Sequence, residues 1–591
     1  MQVRVYSTNN ILNWNKTGKM IRYFCDKCQI ETITSECPNC GKRTRLVETS
    51  IYWCSECNIP LYEEDCHRCG NTAKRIGSDV RPIFPEERLL IELLMGCPMR
   101  YAKASVWQVS GNTYIADGKK IPFRKGMIDE ADAAEIRKGL ERYREENEKA
   151  YAVFNRYIDR FISANQKRYG YILNEATSFI RRVAEGYDAT DMYVSFSGGK
   201  DSTVTSDLVM RALSNLQILH VYGDTTLEFP ETKEYVNRFK KSHPKTPVLT
   251  SINKDKNFEE LCEQLGPPSR VMRWCCTIFK TGAIQRKITT LFKGRNRILT
   301  FIGFRRNESV SRSKYDRESD SPKIAIQRTV SAIIDWLDFD IWLYILTTGI
   351  DFNSAYRYGY TRVGCWCCPN NSAWSGFLSK IYMPEQYEHF REILLAFARK
   401  IGKEDAEEYI DSGNWKARQG GAGMDYANTS VLTFEPCATM ENTINFNLQK
   451  PVSEELYELF KPFGYVNKTL GNPRLGEVYI TDKDGKLQLR LQGRIGQKTL
   501  KVTILDKRAG RSTSITAAEQ KVRCQITKYQ MCMGCLGCES ACSVGAISIQ
   551  TDRKGLKSYR ISDSKCVRCG KCISHYDGGC YIRKVLCIKR A

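Results

Sequence analysis

The chain lacks the two sequence features that would tie it to a membrane or to secretion. No uninterrupted apolar run in its 591 residues reaches the roughly 18 residues that a membrane-spanning helix needs. The N-terminal stretch MQVRVYSTNN has no apolar segment of the kind found in a secretion signal. These absences lead us to expect a soluble cytoplasmic protein with no membrane partner.

Acidic residues are scarce relative to basic ones. The chain has 67 Asp and Glu against 90 Lys and Arg, a net charge of +23 at pH 7. This excess favours a polyanionic partner or substrate, for which nucleic acid is the candidate; a lysine-rich surface that only aids solubility is the alternative. The 42% of hydrophobic residues is enough to bury substantial cores, and the length predicts several domains.

Cysteine, by contrast, is abundant, with 26 residues grouped largely in Cys-x-x-Cys spacings. In a reducing cytosol this pattern indicates metal sites and not disulfides. The N-terminal group is an internal repeat, and each copy supplies the four thiolates that structural zinc favours. We predict two zinc ribbons, with rubredoxin-like iron as the alternative. The ligands are Cys25, Cys28, Cys37 and Cys40 in the first copy and Cys54, Cys57, Cys66 and Cys69 in the second.

The C-terminal cysteines follow the spacing of a two-cluster ferredoxin, in which the fourth cysteine of each run serves the other cluster. Cys542 is therefore expected to complete the second cluster. Cys580 is the candidate fourth ligand of the first cluster, although seven residues, not three, precede it. The predicted role of this [4Fe-4S] pair is electron transfer. The remaining ligands are Cys532, Cys535 and Cys538 in the first run and Cys566, Cys569 and Cys572 in the second.

A third cysteine group lies in the middle of the chain, as an adjacent pair and a Cys-Trp-Cys-Cys run about ninety residues later. Basic residues flank both parts, and nearby cations stabilise thiolates. We predict a [4Fe-4S] cluster here; separate buried cysteines are the alternative. Cys367 is then left over, either as packing or as a persulfide-carrying nucleophile. The predicted cluster ligands are Cys275, Cys276, Cys365 and Cys368.

An apolar run, MYVSF, leads into a short glycine-containing loop and then into a helix-like segment. The two glycines let the backbone approach an anion, and successive N–H groups and the helix N-terminus face it. Lys200 adds a mobile positive charge. The pattern predicts a nucleotide-phosphate site at Ser197, Gly198, Gly199, Lys200, Asp201 and Ser202.

Further motifs follow this loop in order, from GDTTLEFPET at 223–232 and RWCC at 273–276 to RVGCWCCP at 362–369. Residues from about 190 to 370 thus resemble the phosphoadenosine phosphosulfate (PAPS) reductase family of PP-loop nucleotide enzymes, which are adenine nucleotide alpha hydrolase-like. The resemblance implies the PP-loop fold. It also implies a cluster like the one predicted above, because the family's iron–sulfur members use an adjacent cysteine pair and a later Cys-x-x-Cys.

Strand-like runs (MYVSF, LQILHVYG, RILTFIGF) alternate with helical stretches, which predicts an α/β fold with a parallel sheet and the site at its carboxyl edge. Asp224 and Glu228 follow one of these strands and are candidates to hold ribose hydroxyls or Mg²⁺; helix capping is the alternative. Forked donors suited to phosphate or sulfate oxygens are expected at Arg305, Arg306 and Arg312.

The sequence departs from the family's sulfonucleotide reductases, because their Glu-Cys-Gly-x-His ending is absent. The loop lysine resembles the ATP-splitting members instead, and it suits cleavage at an α-phosphate. The leading hypothesis is ATP-dependent, adenylylation-linked sulfur transfer, with nucleic acid as a candidate acceptor and electrons from the ferredoxin part. PAPS or adenylyl-sulfate reduction and a nucleic-acid-binding redox regulator are the alternatives. The candidate catalytic residues are Lys200, Asp201, Cys367 and Arg305.

The motifs divide the chain into five parts. The predicted boundaries are 1–80 for the tandem zinc ribbons, 81–185 for an accessory segment with a hairpin and a helical arm, 186–385 for the PP-loop domain, 386–515 for a helical and then β-rich module, and 516–591 for the ferredoxin domain. The cofactors expected are iron–sulfur clusters, two zinc ions, ATP or PAPS, and Mg²⁺. An electron donor, as a protein or a small reductant, is the remaining partner expected.

Overall fold

The computed structural model describes most of the chain between residues 49 and 574. None of the helices that it describes has the length and apolar character that crossing a lipid bilayer requires. The described residues are 22–25, 28, 30–32, 40, 45–47, 49–109, 113–124, 126–253, 257–270, 273–309, 312, 315–320, 326–417, 432–531, 537–540, 542, 544–551, 557–574 and 589–590.

The N-terminal repeat of the sequence is also a repeat of structure. Its strands are β1 (Arg22–Cys25), β2 (Ile30–Thr32), β3 (Arg45–Val47), β4 (Ile51–Cys54), β5 (Ile59–Leu61) and β6 (Lys74–Gly77). Each copy is a three-stranded antiparallel sheet, in the orders β2-β1-β3 and β5-β4-β6. The central strand of each sheet therefore ends on the first cysteine of its copy.

A small sheet and a helical arm follow, where the sequence predicted a hairpin and helices. The elements are β7 (Val80–Pro82), α1 (Pro85–Leu94), β8 (Val106–Val109), β9 (Thr113–Ala116), β10 (Lys119–Lys120), α2 (Gly126–Asp129), α3 (Ala133–Arg142), α4 (Arg144–Lys149), α5 (Tyr151–Ala164) and α6 (Gln166–Ala184). The predicted turn at Asp117 and Gly118 joins β9 to β10, and both residues have positive φ, 49° and 77°, as a two-residue hairpin turn requires.

The central domain contains the predicted parallel sheet. Its elements are β11 (Met192–Phe196), α7 (Lys200–Ala212), β12 (Leu219–Asp224), α8 (Pro230–Ser242), β13 (Val248–Ile252), α9 (Phe258–Leu265), a π-helix (Cys276–Thr281), α10 (Gly282–Leu291), β14 (Ile298–Ile302), β15 (Glu318–Asp320), β16 (Gln327–Val330) and α11 (Asp338–Thr348). The sheet order is β13-β12-β11-β14-β16-β15, and the edge strand β15 runs antiparallel to β16. The α/β prediction is confirmed.

The strand order places a ligand crevice beside β11. The chain adds β12 and β13 on one side of β11 and then crosses over to add β14 and β16 on the other side. Met192, Tyr193, Val194 and Phe196 of β11 are buried, as expected for a strand covered on both faces. In open parallel sheets, ligands bind outside the carboxyl ends of the strands where the order reverses, and here that point lies between β11 and β14.

The C-terminal half adds helices, an antiparallel sheet and a small final unit. Its elements are α12 (Ala373–Tyr382), α13 (Pro384–Lys400), α14 (Ala406–Asp411), β17 (Leu432–Pro436), β18 (Thr443–Leu448), α15 (Glu454–Glu458), β19 (Tyr465–Asn467), β20 (Glu477–Thr481), β21 (Leu487–Gln492), β22 (Thr499–Ile504), α16 (Ile515–Met531), α17 (Gly537–Ser540), β23 (Ile547–Thr551), β24 (Lys557–Ile561), α18 (Lys571–Ser574) and β25 (Lys589–Arg590). The seven-stranded sheet has the order β19-β20-β21-β22-β18-β17-β25, which agrees with the β-rich module predicted there. The joint predicted at 419–423 lies outside the described residues.

One apolar core connects the central domain with the C-terminal parts. It contains Trp274 and Phe279 beside the first middle cysteines, Phe446 of β18, and Cys538 and Ile573 of the final unit. Because buried apolar area is the main stabilising contribution to a folded domain, this shared core fixes the final unit against the central domain. The helix Gly537–Ser540 packs directly on the π-helix and on α10.

The backbone of β14 approaches the start of α7 very closely at Gly303. A Cβ atom at this position would lie 2.5 Å from the carbonyl oxygen of Asp201 and 2.8 Å from the amide nitrogen of Ser202. Only glycine allows this contact, because backbone atoms cannot move aside as a flexible side chain can. The contact holds the loop after β11 against the end of β14.

We expect Gly303→Ala to lower the free energy of unfolding by about 1–3 kcal/mol, because the added methyl group must push the two backbone segments apart. Gly170→Ala is the matched control: this glycine lies in α6, a Cβ atom there would have no neighbour within 4 Å, and the change should be neutral or slightly stabilising. Denaturant titration followed by tryptophan fluorescence compares the two. Equal midpoints would show that the close approach at Gly303 does not constrain the fold.

Candidate functional site

The phosphate loop predicted from the sequence lies at the carboxyl end of β11. Gly198 has a φ of +72°, and Gly199 is the N-cap residue of α7. The Ser202 hydroxyl donates to the Gly199 carbonyl oxygen over 2.8 Å and accepts from the Ser197 amide over 3.2 Å. The loop is therefore closed on itself, with its backbone turned toward the first turn of α7.

Two residues that the sequence did not single out hold this loop from outside. The Lys200 amide donates to the Tyr356 hydroxyl over 3.0 Å, and the Asn353 side-chain amide donates to the Gly198 carbonyl oxygen over 3.2 Å. Both residues are buried and come from the segment after α11. Tyr356 thus contacts an N–H group that would otherwise face an anion at the helix N-terminus.

The loop lysine belongs to a buried group of four charges. Lys200 Nζ lies 3.2 Å from a carboxylate oxygen of Asp201 and 3.2 Å from one of Asp338. Arg305 lies 2.5 Å from Asp201 and 2.8 Å from Asp338. We call Lys200, Asp201, Arg305 and Asp338 the ion quartet. Two cations and two anions balance one another, so the quartet carries no net charge when all four are ionised.

The surroundings keep these four groups ionised despite their burial. Burial opposes charge on each group, but Arg305 and Lys200 hold the pKa of Asp201 below its ordinary value. The same two cations hold the pKa of Asp338 well below its usual range. In return, the two carboxylates raise the pKa of Lys200 above its ordinary value against the effect of burial. A substrate phosphate must therefore compete with carboxylates for these cations.

The other two arginines predicted to bind phosphate also have acidic partners. Arg306 donates to a carboxylate oxygen of Asp335 over 2.6 Å and to the Tyr315 carbonyl oxygen over 3.1 Å. Arg312 forms an ion pair with Glu308. Both are partly exposed, and they lie after β14, on the side of the crevice opposite β12.

Asp224 and Glu228 lie after β12, next to the loop after β11. Asp224 accepts from the Thr226 amide over 2.8 Å, while Glu228 accepts from the amide and the hydroxyl of Thr225 over 3.0 and 2.7 Å. Burial raises the pKa of Glu228, and the hydrogen bonds from Thr225 oppose that shift. In this arrangement both carboxylates bind the turn after β12, and neither caps α8, whose N-cap residue is Phe229.

The structure brings together the two parts of the middle cysteine group. Cys365 forms an isolated β-bridge with Glu228, so it lies at the carboxyl end of β12. Cys275 and Cys276 lead into the π-helix, which packs against β12. A hydrogen bond with Cys276, burial and the negative charge of Cys276 and Cys365 raise the pKa of the Cys275 thiol. Burial and the charge of Cys276 raise the pKa of the Cys368 thiol. The four predicted cluster ligands are therefore neighbours.

The donor set fits an iron–sulfur cluster better than a single metal ion. Among the described residues, only the second N-terminal ribbon has three or more ligand atoms within 4.8 Å of one another, and the middle cysteines do not. A four-iron cluster needs thiolates spaced more widely than one tetrahedral ion does. Positive charge is also present, because Lys280 opposes the rise in the pKa of Cys365 and Arg362 opposes that of Cys368. Cys275, Cys276, Cys365 and Cys368 are the residues that would hold the cluster.

Cys367 differs from its neighbours. It is 7% exposed and lies in the apolar core with Trp274 and Phe279. Burial raises the pKa of its thiol well above the ordinary value. Because the thiolate is the nucleophilic form, this environment favours the packing alternative over a persulfide-carrying nucleophile.

The loop and the middle cysteines are linked through one short segment. Lys200 Nζ donates to the Thr361 carbonyl oxygen over 3.4 Å, and Cys365 follows Thr361 by four residues. Neighbouring strands lie about 5 Å apart. The loop follows β11, and Cys365 lies beside the turn after the adjacent strand β12. The arrangement can present a nucleotide's phosphates beside a set of four thiols.

The second N-terminal ribbon forms a compact four-sulfur site. The ligand atoms of Cys54, Cys57, Cys66 and Cys69 all lie within 4.8 Å of one another, a spacing that suits one tetrahedral metal ion. In the first ribbon Cys28 and Cys40 are described, whereas Cys37 and the side chain of Cys25 lie outside the described residues.

The described ferredoxin cysteines of the two runs lie near one another, and the crossing of ligands between clusters stays a prediction. Charge on Cys542 raises the pKa values of both Cys566 and Cys572, which places Cys542 beside the second run. Cys569 also influences Cys566, and Cys538 lies near Cys572. Cys532, Cys535 and Cys580 lie outside the described residues.

Two protein families match parts of this chain. Residues 191–371 match the phosphoadenosine phosphosulfate reductase domain, and residues 531–575 match a 4Fe-4S dicluster domain. The chain contains a PAPS reductase domain. The dicluster match supports iron–sulfur clusters at the C-terminal end, although it stops before Cys580. Both parts of the resemblance drawn from the sequence are confirmed.

Individual relatives cover only parts of the chain. An uncharacterised protein of Methanocaldococcus jannaschii is 29% identical over 261 residues, which are 44% of this chain and 60% of that protein's length. The match thus spans less than two thirds of that relative. An adenosine 5′-phosphosulfate reductase of Anoxybacillus flavithermus is 26% identical over 184 residues, 30% of this chain and 72% of that enzyme. The solved PAPS reductase of Candida auris, with a TM-score of 0.27 and 14% identity, covers 34% of this chain and 97% of that one.

Sequence reasoning about the PAPS reductase domain missed Asp338, Tyr356 and Asn353. Asp338 stands two residues after Trp336, and its carboxylate looks like an ordinary first-turn residue of α11. The only local hint of a role for Asp338 was its position two residues after Trp336. Nothing in the sequence indicates that Tyr356 and Asn353 reach the loop.

We expect Asp338→Asn to destabilise the PAPS reductase domain by about 3 kcal/mol, because it leaves two buried cations with one carboxylate. The matched control is Asp335→Asn in the same segment, whose pair with Arg306 is more exposed and should contribute less than about 1 kcal/mol. Thermal and denaturant unfolding of both variants measures the difference. Similar losses in the two variants would contradict the importance of the ion quartet.

The two roles of the middle cysteines can be separated by iron content. After anaerobic reconstitution, Cys365→Ser should lose the middle cluster, about four iron atoms per chain by the formula of a [4Fe-4S] cluster. Cys367→Ser should keep its iron, because that thiol lies in the apolar core. Iron and sulfide analysis with electron paramagnetic resonance provides the measurement. Loss of iron in Cys367→Ser but not in Cys365→Ser would show that Cys367 is the cluster ligand and that Cys365 is not.

Proposed function

We propose that the protein is an ATP-dependent enzyme of sulfur transfer that activates an acceptor by adenylylation. The observation that supports this most directly is Lys200, buried at the N-terminus of α7 directly after two glycines and linked to the segment that carries Cys365. Sulfonucleotide reductases of the family usually lack a lysine at this position, whereas cleavage at an α-phosphate benefits from positive charge there.

In the proposed reaction an acceptor oxygen attacks the α-phosphorus of ATP. The bond between the α-phosphorus and the bridging oxygen breaks, and pyrophosphate leaves with Mg²⁺ as its counterion. Lys200 and the loop N–H groups stabilise the charge that develops on the phosphate oxygens, once the phosphates have displaced Asp201 or Asp338 from Lys200. Arg305 keeps its partners and orients Asp201.

The thiols supply the second half of the chemistry. When bound, an iron–sulfur cluster on Cys275, Cys276, Cys365 and Cys368 would supply sulfide beside the adenylylated acceptor. A bond from sulfide to the acceptor carbon forms as the bond from that carbon to the adenylylated oxygen breaks, and AMP leaves. The chain's own residues contribute burial and position: the π-helix and the turn at Glu228 hold the four thiols at the end of β12. The direct packing of the helix Gly537–Ser540 on the π-helix supports the ferredoxin part as the local electron source.

The acceptor is proposed to be nucleic acid. The chain's net charge of +23 favours a polyanion, and a groove of about 430 Å³ lies between the second ribbon, α6 and the segment after β16. In this groove Arg168 lies over the ring of Tyr62 at 3.8 Å, and Tyr171 is 64% exposed. Aromatic and cationic side chains together suit unstacked bases.

A second candidate is reduction of adenylyl sulfate or PAPS to sulfite. It is favoured by the similarity to an adenosine 5′-phosphosulfate reductase and by the adjacent dicluster domain, which supports a local supply of electrons. The buried state of Cys367 disfavours it, because reduction by the family's route needs an accessible cysteine nucleophile. A nucleic-acid-binding redox regulator is the outcome expected if no nucleotide is turned over.

A panel of nucleotides separates these functions. Under anaerobic conditions with a reductant, we expect pyrophosphate from ATP and no sulfite from adenylyl sulfate or PAPS. Lys200→Ala should lower pyrophosphate release by about 100-fold or more, the usual effect of removing a group that stabilises transition-state charge. Exposed Lys138→Ala is the control and should change nothing. Sulfite formation would favour the reductase, and tight, salt-sensitive nucleic-acid binding without turnover would favour the regulator.

A further inference from the structure

The second cysteine ribbon reaches the ion quartet through a single carboxylate, that of Asp79. This residue lies between β6, which closes the sheet of the ribbon, and β7. β6 pairs directly with β4, the strand that ends on Cys54. The pairing is antiparallel with Gly77 opposite Ile51, so Asp79 follows the end of β6 that lies beside the start of β4.

Asp79 binds the first turn of α11. Its carboxylate accepts from the amides of Asp338 and Phe339, over 3.0 Å each, and from its own neighbour Val80 over 2.8 Å. The first amides of a helix have no partner within the helix, so an outside carboxylate both satisfies them and suits the positive end of the helix dipole. A residue 259 positions earlier thus caps this helix.

The ribbon also holds the same helix end by apolar packing. Leu337, Phe339 and Leu343 lie in one buried cluster with Trp53 and the ligand cysteines of the second ribbon. The ring of Phe339 lies 5.9 Å from that of Tyr62, just after β5. The hydrogen bonds from α11 to Asp79 and this apolar packing together fix where α11 begins relative to the ribbon.

The start of α11 determines where the carboxylate of Asp338 lies. That carboxylate contacts Arg305 at 2.8 Å and Lys200 at 3.2 Å. A shift of the first turn would therefore change the partners of the loop lysine directly. Within the part of the chain that the structure describes, no carboxylate outside the quartet forms an ion pair with Lys200 or Arg305.

We propose that Asp79 is a positioning residue that holds Asp338 against Lys200 and Arg305, so that the second cysteine ribbon supports the nucleotide loop. The proposal rests on the proposed function only where it concerns nucleotide affinity. The structural coupling from Asp79 through α11 to the loop is independent of what the loop binds.

The coupling has a pH dependence with a defined sign. Burial and the negative charge of Asp338 raise the pKa of Asp79 to about 7, against the two amide N–H groups and Arg305. The charged groups that act on it are Asp338 from α11 and Arg305 after β14, while Lys200 at the start of α7 and Arg81 from β7 act on Asp338. Above pH 7 the ionised Asp79 adds negative charge next to Asp338, which strengthens the hold on Lys200 and weakens competition by phosphate.

The first experiment needs no nucleotide. In hydrogen-exchange mass spectrometry of the full chain, Asp79→Ala should speed exchange roughly two- to tenfold for each of the two lost amide hydrogen bonds, in peptides covering both 337–345 and 197–203. Asp79→Asn keeps one acceptor oxygen, so it can retain only one of these two hydrogen bonds and should restore only part of the protection. Asp159→Ala, an exposed position on α5, is the control. Faster exchange at 337–345 with an unchanged loop would overturn the proposal.

The second experiment measures ATP affinity by calorimetry between pH 6 and pH 8. The wild-type chain should lose roughly fivefold in affinity, relative to Asp79→Asn, as pH rises through 7. The terminal phosphate of ATP also changes its protonation in this pH range, and the Asp79→Asn variant measures the contribution of that change. Parallel pH profiles in the two proteins would overturn the role of Asp79 in affinity. Failure of both proteins to bind ATP would reject the proposed function, while the exchange experiment would still decide the coupling.

Discussion

The ion quartet of Lys200, Asp201, Arg305 and Asp338 is the interaction on which the site depends. Lys200 and Arg305 are almost fully buried, and a buried cation without a counter-charge is very unfavourable. The four members come from three places: the start of α7, the turn after β14 and the start of α11. The loop after β11 can therefore keep its conformation only while three separate segments hold their positions.

This balance makes phosphate binding an exchange of partners. The cations that a phosphate needs are already neutralised by carboxylates, and the Lys200 amide already donates to Tyr356. Binding energy is then the difference between two sets of charge-assisted hydrogen bonds, not the sum of new ones. A site of this kind would favour ligands that offer enough phosphate oxygens to replace the displaced carboxylates.

The sequence could predict what depends on local pattern, and it could not predict what depends on tertiary pairing. The sequence could predict the metal sites from cysteine spacing, because coordination geometry fixes that spacing over a few residues. It could also predict the strand–loop–helix around residues 197–202 and the parallel sheet, because hydrophobic periodicity marks strands and helices locally. The sequence predicted Arg305 as a donor to phosphate or sulfate oxygens, whereas in the structure its forked donors bind the carboxylates of Asp201 and Asp338. That choice depends on Asp338, which lies 33 residues away, and no local pattern shows which acceptor an arginine will meet.

The middle cysteines explain how two distant segments come to share one edge of the sheet. Cys365 is anchored by its bridge to Glu228, whereas Cys275 and Cys276 are held by the π-helix and the apolar core. A cluster bound by all four thiols would cross-link a segment of about ninety residues, which lowers the entropy of the unfolded chain as a disulfide does. Thr361, in the segment that leads to Cys365, accepts a hydrogen bond from Lys200. The same cross-link would therefore also restrain the loop lysine. A cluster at the four thiols would then restrain the thiol site and the phosphate loop together.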